Sequence, residues 1–407
     1  MIGWEYPPHN SGGLGVACDG LTQSLAHSGT NIQFTLPYHS QSSVSHMKVL
    51  DCVDPSWLIQ NGDTLDMPPF LAYDQAIPIQ NSIKSSEMDM DVLRSLPQSE
   101  LERKVYQYAD MVATEGTHDS SSYDVIHAHD WMAYPAGMKL KQKTGKPLIT
   151  HVHSTEYDRS ALHKGSEFIT KTEYEGMQMA NIVVAVSQYT KKLLIDRYKI
   201  PASKIEVVHN GVAPLRYPPD PGNHHFASDR PVVVYMGRLT IQKGVQYFIH
   251  LAKAVLERNP ETLFIVAGSG DMYHELLFTT AREQLSASVL FSGFVRGKQQ
   301  EKLLDRADVF VMPSISEPFG LVALEAAQRH TPVVISKNAG VSEVLPGGIS
   351  VDFWDINKMG AVISHLINDR DHHSQIIKNQ LRDLQTATWD VAANRMRAVY
   401  RRAIVGK

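Results

Sequence analysis

Glu317 and Glu325 lie about two helical turns apart in the segment Ser316-Glu317-Pro318-Phe319-Gly320-Leu321-Val322-Ala323-Leu324-Glu325. An apolar run, Val309–Met312, precedes it and reads as a strand that leads through a loop into a helix. Carboxylates at the carboxyl end of a parallel strand sit where ligands bind, and they accept hydrogen bonds from sugar or ribose hydroxyls. The free amides of Phe319, Gly320 and Leu321 would stand at the helix start, where anions bind. The plainer reading is a capping glutamate followed by a solvated one. A second set, Met236-Gly237-Arg238-Leu239 with Lys243-Gly244, also follows a strand and opens a helix. Gly237 allows a tight turn, Arg238 suits a two-pronged grip on phosphate, and Lys243 adds a point charge. Paired cations are what a departing diphosphate needs. Two surface cations on a loop is the alternative.

Two weaker signals accompany these. Ser11-Gly12-Gly13-Leu14-Gly15 lets backbone amides approach a phosphate or sugar, although many such turns are only turns. His127-Ala128-His129-Asp130-Trp131 and His151-Val152-His153 fall at expected strand ends. Alternate strand residues face one way, so each His-x-His presents two imidazoles together. That is metal-ligand geometry and resembles hydrolase patterns. Neither set brings a closely spaced further His or Cys, so the expectation is no metal, and structural or substrate-binding histidines.

The elements that must position these groups read as alternating strands and helices. Strands are expected at Ile32–Leu36, Val125–Ala128, Pro147–Val152, Ile182–Val186 and Ile205–Val208. A second series follows at Val232–Met236, Thr262–Ala267, Val289–Ser292, Val309–Met312 and Pro332–Ile335. Short, nearly continuous apolar runs suit parallel strands buried on both faces, with helices between them. After Lys243, Val245, Phe248, Ile249, Ala252, Val255 and Leu256 keep a helical rhythm that Pro260 ends. Residues Gln41–Thr117 read as an irregular insertion with one helix around Leu101–Thr114. The proline-rich stretch from Pro214 to Pro231 reads as a linker. The expected division is therefore 1–215, 229–384 and a final helix within 385–407. Only Met1–Trp4 precede the Pro7-Pro8 break, so the first strand is short or the chain starts late relative to similar domains.

Composition narrows the class. With 43% apolar and 20% charged residues, the chain is an ordinary folded protein and not a disordered one. A net charge of -4 gives no general pull toward nucleic acid. Cys18 and Cys52 form no disulfide framework and fit a reducing, cytoplasmic setting. No apolar run approaches the ~20 residues that span a membrane. Lys139, Lys141, Lys143 and Lys146 read as a solvated helix end, with peripheral membrane contact as the lesser alternative.

Taken together, these motifs resemble glycosyltransferase family 4, which has the GT-B fold and includes bacterial glycogen synthases. The matching pieces are Gly12-Gly13-Leu14-Gly15, His127–Trp131, His153, Asn210-Gly211-Val212, Gly237-Arg238 with Lys243-Gly244, and the Glu317/Glu325 pair. The segment Trp389–Tyr400 is similar to the family's last helix, which crosses back to the first domain. The resemblance implies an α/β GT-B fold, with two Rossmann-like domains about a cleft. It implies a retaining transfer of a sugar from a nucleotide-diphosphate sugar to a saccharide or other hydroxyl acceptor, with no cofactor and no metal. Arg238 and Lys243 would hold the donor diphosphate as it leaves, Glu325 the ribose, and Glu317 the hydroxyl side of the sugar. His153 would line the reacting centre, with Asp130 and Asn210 nearby. Gly13 would offer backbone amides to phosphate or acceptor, alongside Phe319, Gly320 and Leu321. The sequence departs where bacterial glycogen synthases carry a lysine before the glycine loop. Asn10 stands there, so the resemblance does not reach to a polymer product. A non-catalytic nucleotide-sugar-binding protein, a metal-dependent hydrolase built on the histidines and a sugar-nucleotide epimerase stay open.

Overall fold

The computed structural model describes residues 1–7, 12–37, 44–51, 98–215, 217–219 and 230–406. Asn10, Ser11, Cys52 and most of the 215–229 boundary therefore lie outside the described residues, as does most of the expected insertion. The first sheet contains β1 Gln33–Leu36, β2 Lys48–Asp51, β3 Ile126–His129, β4 Leu148–Val152, β5 Ile182–Ala185 and β6 Ile205–Val207. β1 pairs with β2, and β3 through β6 pair in order, all parallel. The N-terminal stub joins the two pieces. Ile2 bridges both Thr35 and Ala128, donating its N–H to His127 O at 2.8 Å and accepting from His129 N at 2.9 Å. The stub thus occupies the place of a short first strand.

The second sheet contains β7 Val232–Met236, β8 Leu263–Ala267, β9 Val289–Gly293, β10 Val309–Met312, β11 Val333–Ser336 and β12 Ile349–Val351. Its order is β12-β11-β10-β7-β8-β9, again all parallel. Counted from its own first strand, each sheet runs third, second, first, fourth, fifth, sixth, and the first sheet adds β6 beyond. This is the doubly wound order, in which the crevice opens where the winding reverses. Those reversal points lie between the Ile2 stub and β3, and between β7 and β10.

Every residue of β7 and β8 is buried, as the unbroken apolar runs require. All ten expected strands are present. The two that sequence did not announce, β2 and β12, are short edge strands whose residues are largely half-buried or exposed, so their apolar signal is weak. The helix expected around Leu101–Thr114 spans Gln98–His118. In the helix Val245–Leu256, the buried set includes Val245, Phe248, Ile249, Ala252 and Val255, the periodic positions.

The last helix, Trp389–Val405, returns to the first sheet's layer. Trp389, Ala393, Met396 and Tyr400 share a core with Cys18, Leu21 and Leu25 of the helix Gly13–His27. Gly20 is glycine because the Trp389 ring leaves no room for a Cβ. The chain leaves and re-enters this layer at one crossing, where Val212 N–H donates to Ala387 O at 2.9 Å. Gly211 lies against the Thr388 backbone there, again with no space for a side chain. The lysine run is tied down: Lys139 pairs with Asp110 at 2.5 Å, and Lys141 donates to Met179 O at 2.6 Å. Among the described residues, no helix is long and apolar enough to cross a membrane.

Candidate functional site

At the reversal point of the second sheet, the loops after β7 and β10 are fastened together. Tyr235 Oη donates to Arg238 O at 2.7 Å, and the fully buried Leu239 donates its N–H to Ser269 O at 2.7 Å. This pins the backbone and leaves the Arg238 side chain half-buried at the strand end. Gly244 has φ of +64°, and a Cβ there would run into Pro313 O, so the two loops touch. Ile315 N–H donates to Gln242 O at 2.9 Å, and Gln242 Nε2 to Ser316 O at 3.1 Å. The fastening brings Lys243 Nζ to 2.7 Å from Glu317 Oε2, which also accepts from Ser314 Oγ at 3.1 Å. Lys243 and Glu317, read from sequence as separate groups, form an ion pair. Part of the lysine charge is therefore balanced before any ligand arrives.

Beside them starts the helix Leu321–Gln328, capped by Gly320 at φ +105° with no side-chain cap. A Cβ on Gly320 would press on Met312, so glycine serves both the turn and the packing. The first amides of this helix precede its own carbonyl acceptors, although Ala323 N–H donates to Gly320 O at 3.1 Å, and such an end suits an anion. The Phe319 side chain is buried in the core, and its carbonyl accepts from Val341 N at 2.8 Å. Its contribution to a ligand is thus its amide. Glu325 accepts from Gln300 Nε2 at 2.6 Å, while burial pushes its carboxyl pKa up against that bond. Across the crevice, the Cβ position of Gly13 lies 3.9 Å from Leu321 Cδ1. The glycine loop thus faces the start of the Leu321 helix. Glu5 Oε1 holds that loop by accepting from Gly15 N at 3.0 Å.

The reversal point of the first sheet is neutral by comparison. Asp130 adopts φ of +58°, a conformation that short polar side chains tolerate. Its Oδ1 accepts from His153 N at 2.7 Å and Ser154 N at 3.3 Å, so its carboxylate shapes the loop that carries His153. Burial raises the Asp130 pKa to about 7, against the pull of Arg159 and the two amides. The four histidines gather on one face of β3 and β4. His127 Nε2 and His151 Nδ1 are 3.2 Å apart, His129 Nδ1 and His153 Nε2 3.0 Å, and His127 Nδ1 meets Tyr400 Oη at 2.8 Å. Burial holds His127, His129 and His151 well below the usual histidine range, and lowers His153 to about 3. All four are neutral near pH 7. No further His or Cys lies close to either pair in sequence, but the fold brings others near in space. The pairs meet each other, and the helix Gly13–His27 adds Cys18, whose Sγ lies within 4.8 Å of ring nitrogens of His129 and His153. Parallel pairing of β3 with β4 and the packing of a distant helix produce this cluster, so no local spacing announces it.

Polar contacts between the two layers were also missed in the sequence. Ser316 Oγ donates to Asp158 Oδ1 at 2.5 Å and meets Tyr189 Oη at 2.8 Å, while Ser187 Oγ donates to Pro318 O at 2.7 Å. Glu343 accepts from Gln188 N, Tyr189 N and His209 Nε2 at 2.8, 2.9 and 2.7 Å. Arg395 donates to His209 Nδ1 at 3.1 Å, which leaves the ring proton on Nε2 for Glu343. Asn210, 8% exposed, follows directly at the crossing, with the His209 ring 6.4 Å from Phe319. The one local signal was Glu156-x-x-Arg159, an i,i+3 pair that becomes a buried bridge extended to Glu173 at 2.6 Å.

Comparison with known proteins agrees with this geometry. Residues 92–216 match the profile described as Glycosyltransferase Family 4, and residues 218–383 match Glycosyl transferases group 1. The chain is 29% identical to an uncharacterized glycosyltransferase of Methanocaldococcus jannaschii, over 99% of this chain and 98% of that one. It is 27% identical to a glycogen synthase of Mycobacterium tuberculosis, over 91% and 86%. Among solved structures, the sucrose-phosphate synthase of Thermosynechococcus elongatus superposes with a TM-score of 0.76 at 19% identity, covering 100% and 99%. The catalytic domain of Arabidopsis thaliana starch synthase IV, bound to ADP and acarbose, gives 0.72 at 16%, covering 99% and 98%.

Proposed function

Since the chain belongs to the group 1 glycosyltransferases and has the GT-B fold, we propose that it transfers a hexose, with retention, from a nucleotide-diphosphate sugar to a saccharide or other hydroxyl acceptor. The observation that carries this reading is the Lys243–Glu317 pair beside the uncapped start of the Leu321 helix, opposite Gly13, with Arg238 on the adjoining loop after β7. Negative charge grows on the diphosphate as the sugar leaves, and donors already fixed in place need no reorganisation at that moment. Arg238 and the amides hold the phosphates, and Lys243 adds charge while its partner Glu317 faces the sugar hydroxyls. Glu325 binds the ribose, with Gln300 orienting it. His153, neutral and steadied by His129, hydrogen-bonds the sugar without adding charge. Asp130 and Asn210 support this wall. Retention follows if the leaving phosphate takes the acceptor proton on the face it departs from, so no further protein base is required. The scarcity of cysteine supports action in the cytoplasm.

The deciding experiment offers the purified protein a panel of ADP-, UDP- and GDP-sugars, with and without oligosaccharide acceptors, and follows the anomeric product by NMR. Turnover of one donor with the α-linkage kept supports the reading. Donor binding without turnover would make this a nucleotide-sugar-binding protein, and an inverted product would remove the retaining step.

A further inference from the structure

We propose that Cys18, His129 and His153 form a binding site for a soft divalent cation such as Zn²⁺, and that occupation of the site inhibits the enzyme. One ligand atom from each residue lies within 4.8 Å of the others, which a small rearrangement converts to a shared coordination sphere. Cys18 and His129 are fully buried, and His153 is the half-buried member. Among the described residues, His129 Nε2 and His153 Nδ1 are buried nitrogens with no hydrogen-bond partner. Buried polar atoms of this kind are few in folded proteins, and each calls for a partner. A thiol and two neutral imidazoles are the ligands that zinc prefers, and three protein ligands leave a fourth position for water or a donor oxygen.

Charge supports the same occupant. Binding exchanges the thiol proton for the cation: the S–H bond breaks, the proton leaves to water, and a sulfur–metal bond forms. The thiolate and a divalent ion leave one net positive charge. Burial, and after it Glu5, Asp130 and Asp19, push the Cys18 thiol pKa up, so the thiol keeps its proton until a cation displaces it, and the same carboxylates then balance the added positive charge. A second trio, His127, His129 and His151, is equally close. There His127 has both nitrogens engaged, by Tyr400 and His151, and all three rings are buried. Inhibition, unlike binding, rests on the role given above to His153: a metal-held imidazole cannot reach the sugar.

Cobalt reports binding without reference to activity. One equivalent of Co²⁺ should bind the full chain and give near-ultraviolet thiolate-to-cobalt absorption. Cys18→Ser should abolish that absorption, and Cys52→Ser should leave it. Zn²⁺ should slow transfer reversibly, with chelator restoring the rate. Cys18→Ser, checked by its melting curve and metal-free kcat, should need at least roughly ten- to a hundredfold more Zn²⁺, since loss of an outer-shell partner alone costs that much. Cobalt bound with no thiolate absorption would overturn the site, as would loss of the absorption in Cys52→Ser. Equal Zn²⁺ sensitivity of Cys18→Ser and wild type would do the same. If Cys18→Ser fails to fold, the wild-type and Cys52→Ser spectra still decide. A thiolate signal without Zn²⁺ inhibition would keep the site and remove His153 from the reaction.

Discussion

The two halves wind their strands in the same order, yet their reversal points are furnished in opposite ways. In the second half, Lys243 and Glu317 stand beside an uncapped helix start, with Arg238 on the adjoining loop after β7. In the first half, four imidazoles are kept neutral by burial, and Asp130 spends its carboxylate on backbone amides. One topology thus supplies a charged floor in one place and an uncharged wall in the other. The floor suits a diphosphate. On the proposed function, the wall limits competing charge beside the sugar being transferred.

The charged floor gives the largest expected effect. Arg238→Ala should lower kcat/KM roughly ten- to a hundredfold or more. A hydrogen bond to a charged group is worth about 1.5–3 kcal/mol, and each 1.36 kcal/mol is tenfold in rate. The contact strengthens as the leaving group gains charge, so kcat should fall at saturating donor. Lys243→Ala should also lower kcat/KM, because it removes a cation and leaves the buried Glu317 carboxylate unpaired beside the donor. The double variant should be less than additive if both hold one diphosphate. Near-normal kcat in Arg238→Ala would collapse the distinction between the halves.

The neutral wall is tested by pH. Burial depresses the His151 pKa in the folded state, with the neighbouring histidines adding to it. Below about pH 6.5 the unfolded chain binds a proton that the folded chain refuses, so the group's share of stability is whole above that pH and is lost as pH falls. His151→Gln has nothing to titrate there. At pH 8 the variant should be less stable, through the lost His127 bond. At pH 5 the gap should shrink by up to about 2 kcal/mol. A gap that stays constant from pH 8 to pH 5 in denaturant titrations would mean that His151 is not held neutral.

The contact joining the halves should matter less. Glu343 reaches from the second half to the amide end of the helix Gln188–Tyr198 and to His209. Glu343→Gln keeps the shape but loses the charge at a helix N-terminus, which is worth about 0.3–1 kcal/mol. A rise of a few-fold or less in donor KM, with kcat held, is the expected reading. A large drop in kcat would place Glu343 at the chemistry and not at the joint.

How much of this was legible follows from distance along the chain. β7, β8 and β10 are unbroken apolar runs, so they and the motifs at their ends could be read directly. β2 and β12 are short edges with little to bury. Arg238 and Glu317 were visible as strand-end residues. The pairing of Glu317 with Lys243, 74 residues apart, needed the two loops to be fastened by Gln242. Cys18 looked like an isolated cysteine until helix packing set it against His129 and His153. What failed to show in the sequence is what tertiary contact creates: the ion pair, the histidine stack and the Ser316–Asp158 link.

The smallest expected effect is none, and it sharpens the comparison most. If the floor carries the positive charge that the leaving diphosphate needs, no metal is required there, and activity should survive chelation. Arg238 and Lys243 bring cationic groups to the floor, the latter partly balanced by Glu317, and the first amides of the Leu321 helix add about half a charge more. The groups suited to a metal lie instead on the neutral wall, in the Cys18 cluster, where a soft cation hinders and does not help. Chelator should therefore leave the rate unchanged in metal-free protein and raise it in protein exposed to Zn²⁺. Initial rates with and without chelator, on protein stripped of metal and on protein titrated with Zn²⁺ or Mg²⁺, separate the cases. A complete loss of activity in chelator, restored by Mg²⁺, would show that the floor's own charges are insufficient, and the division of labour between the halves would have to be redrawn.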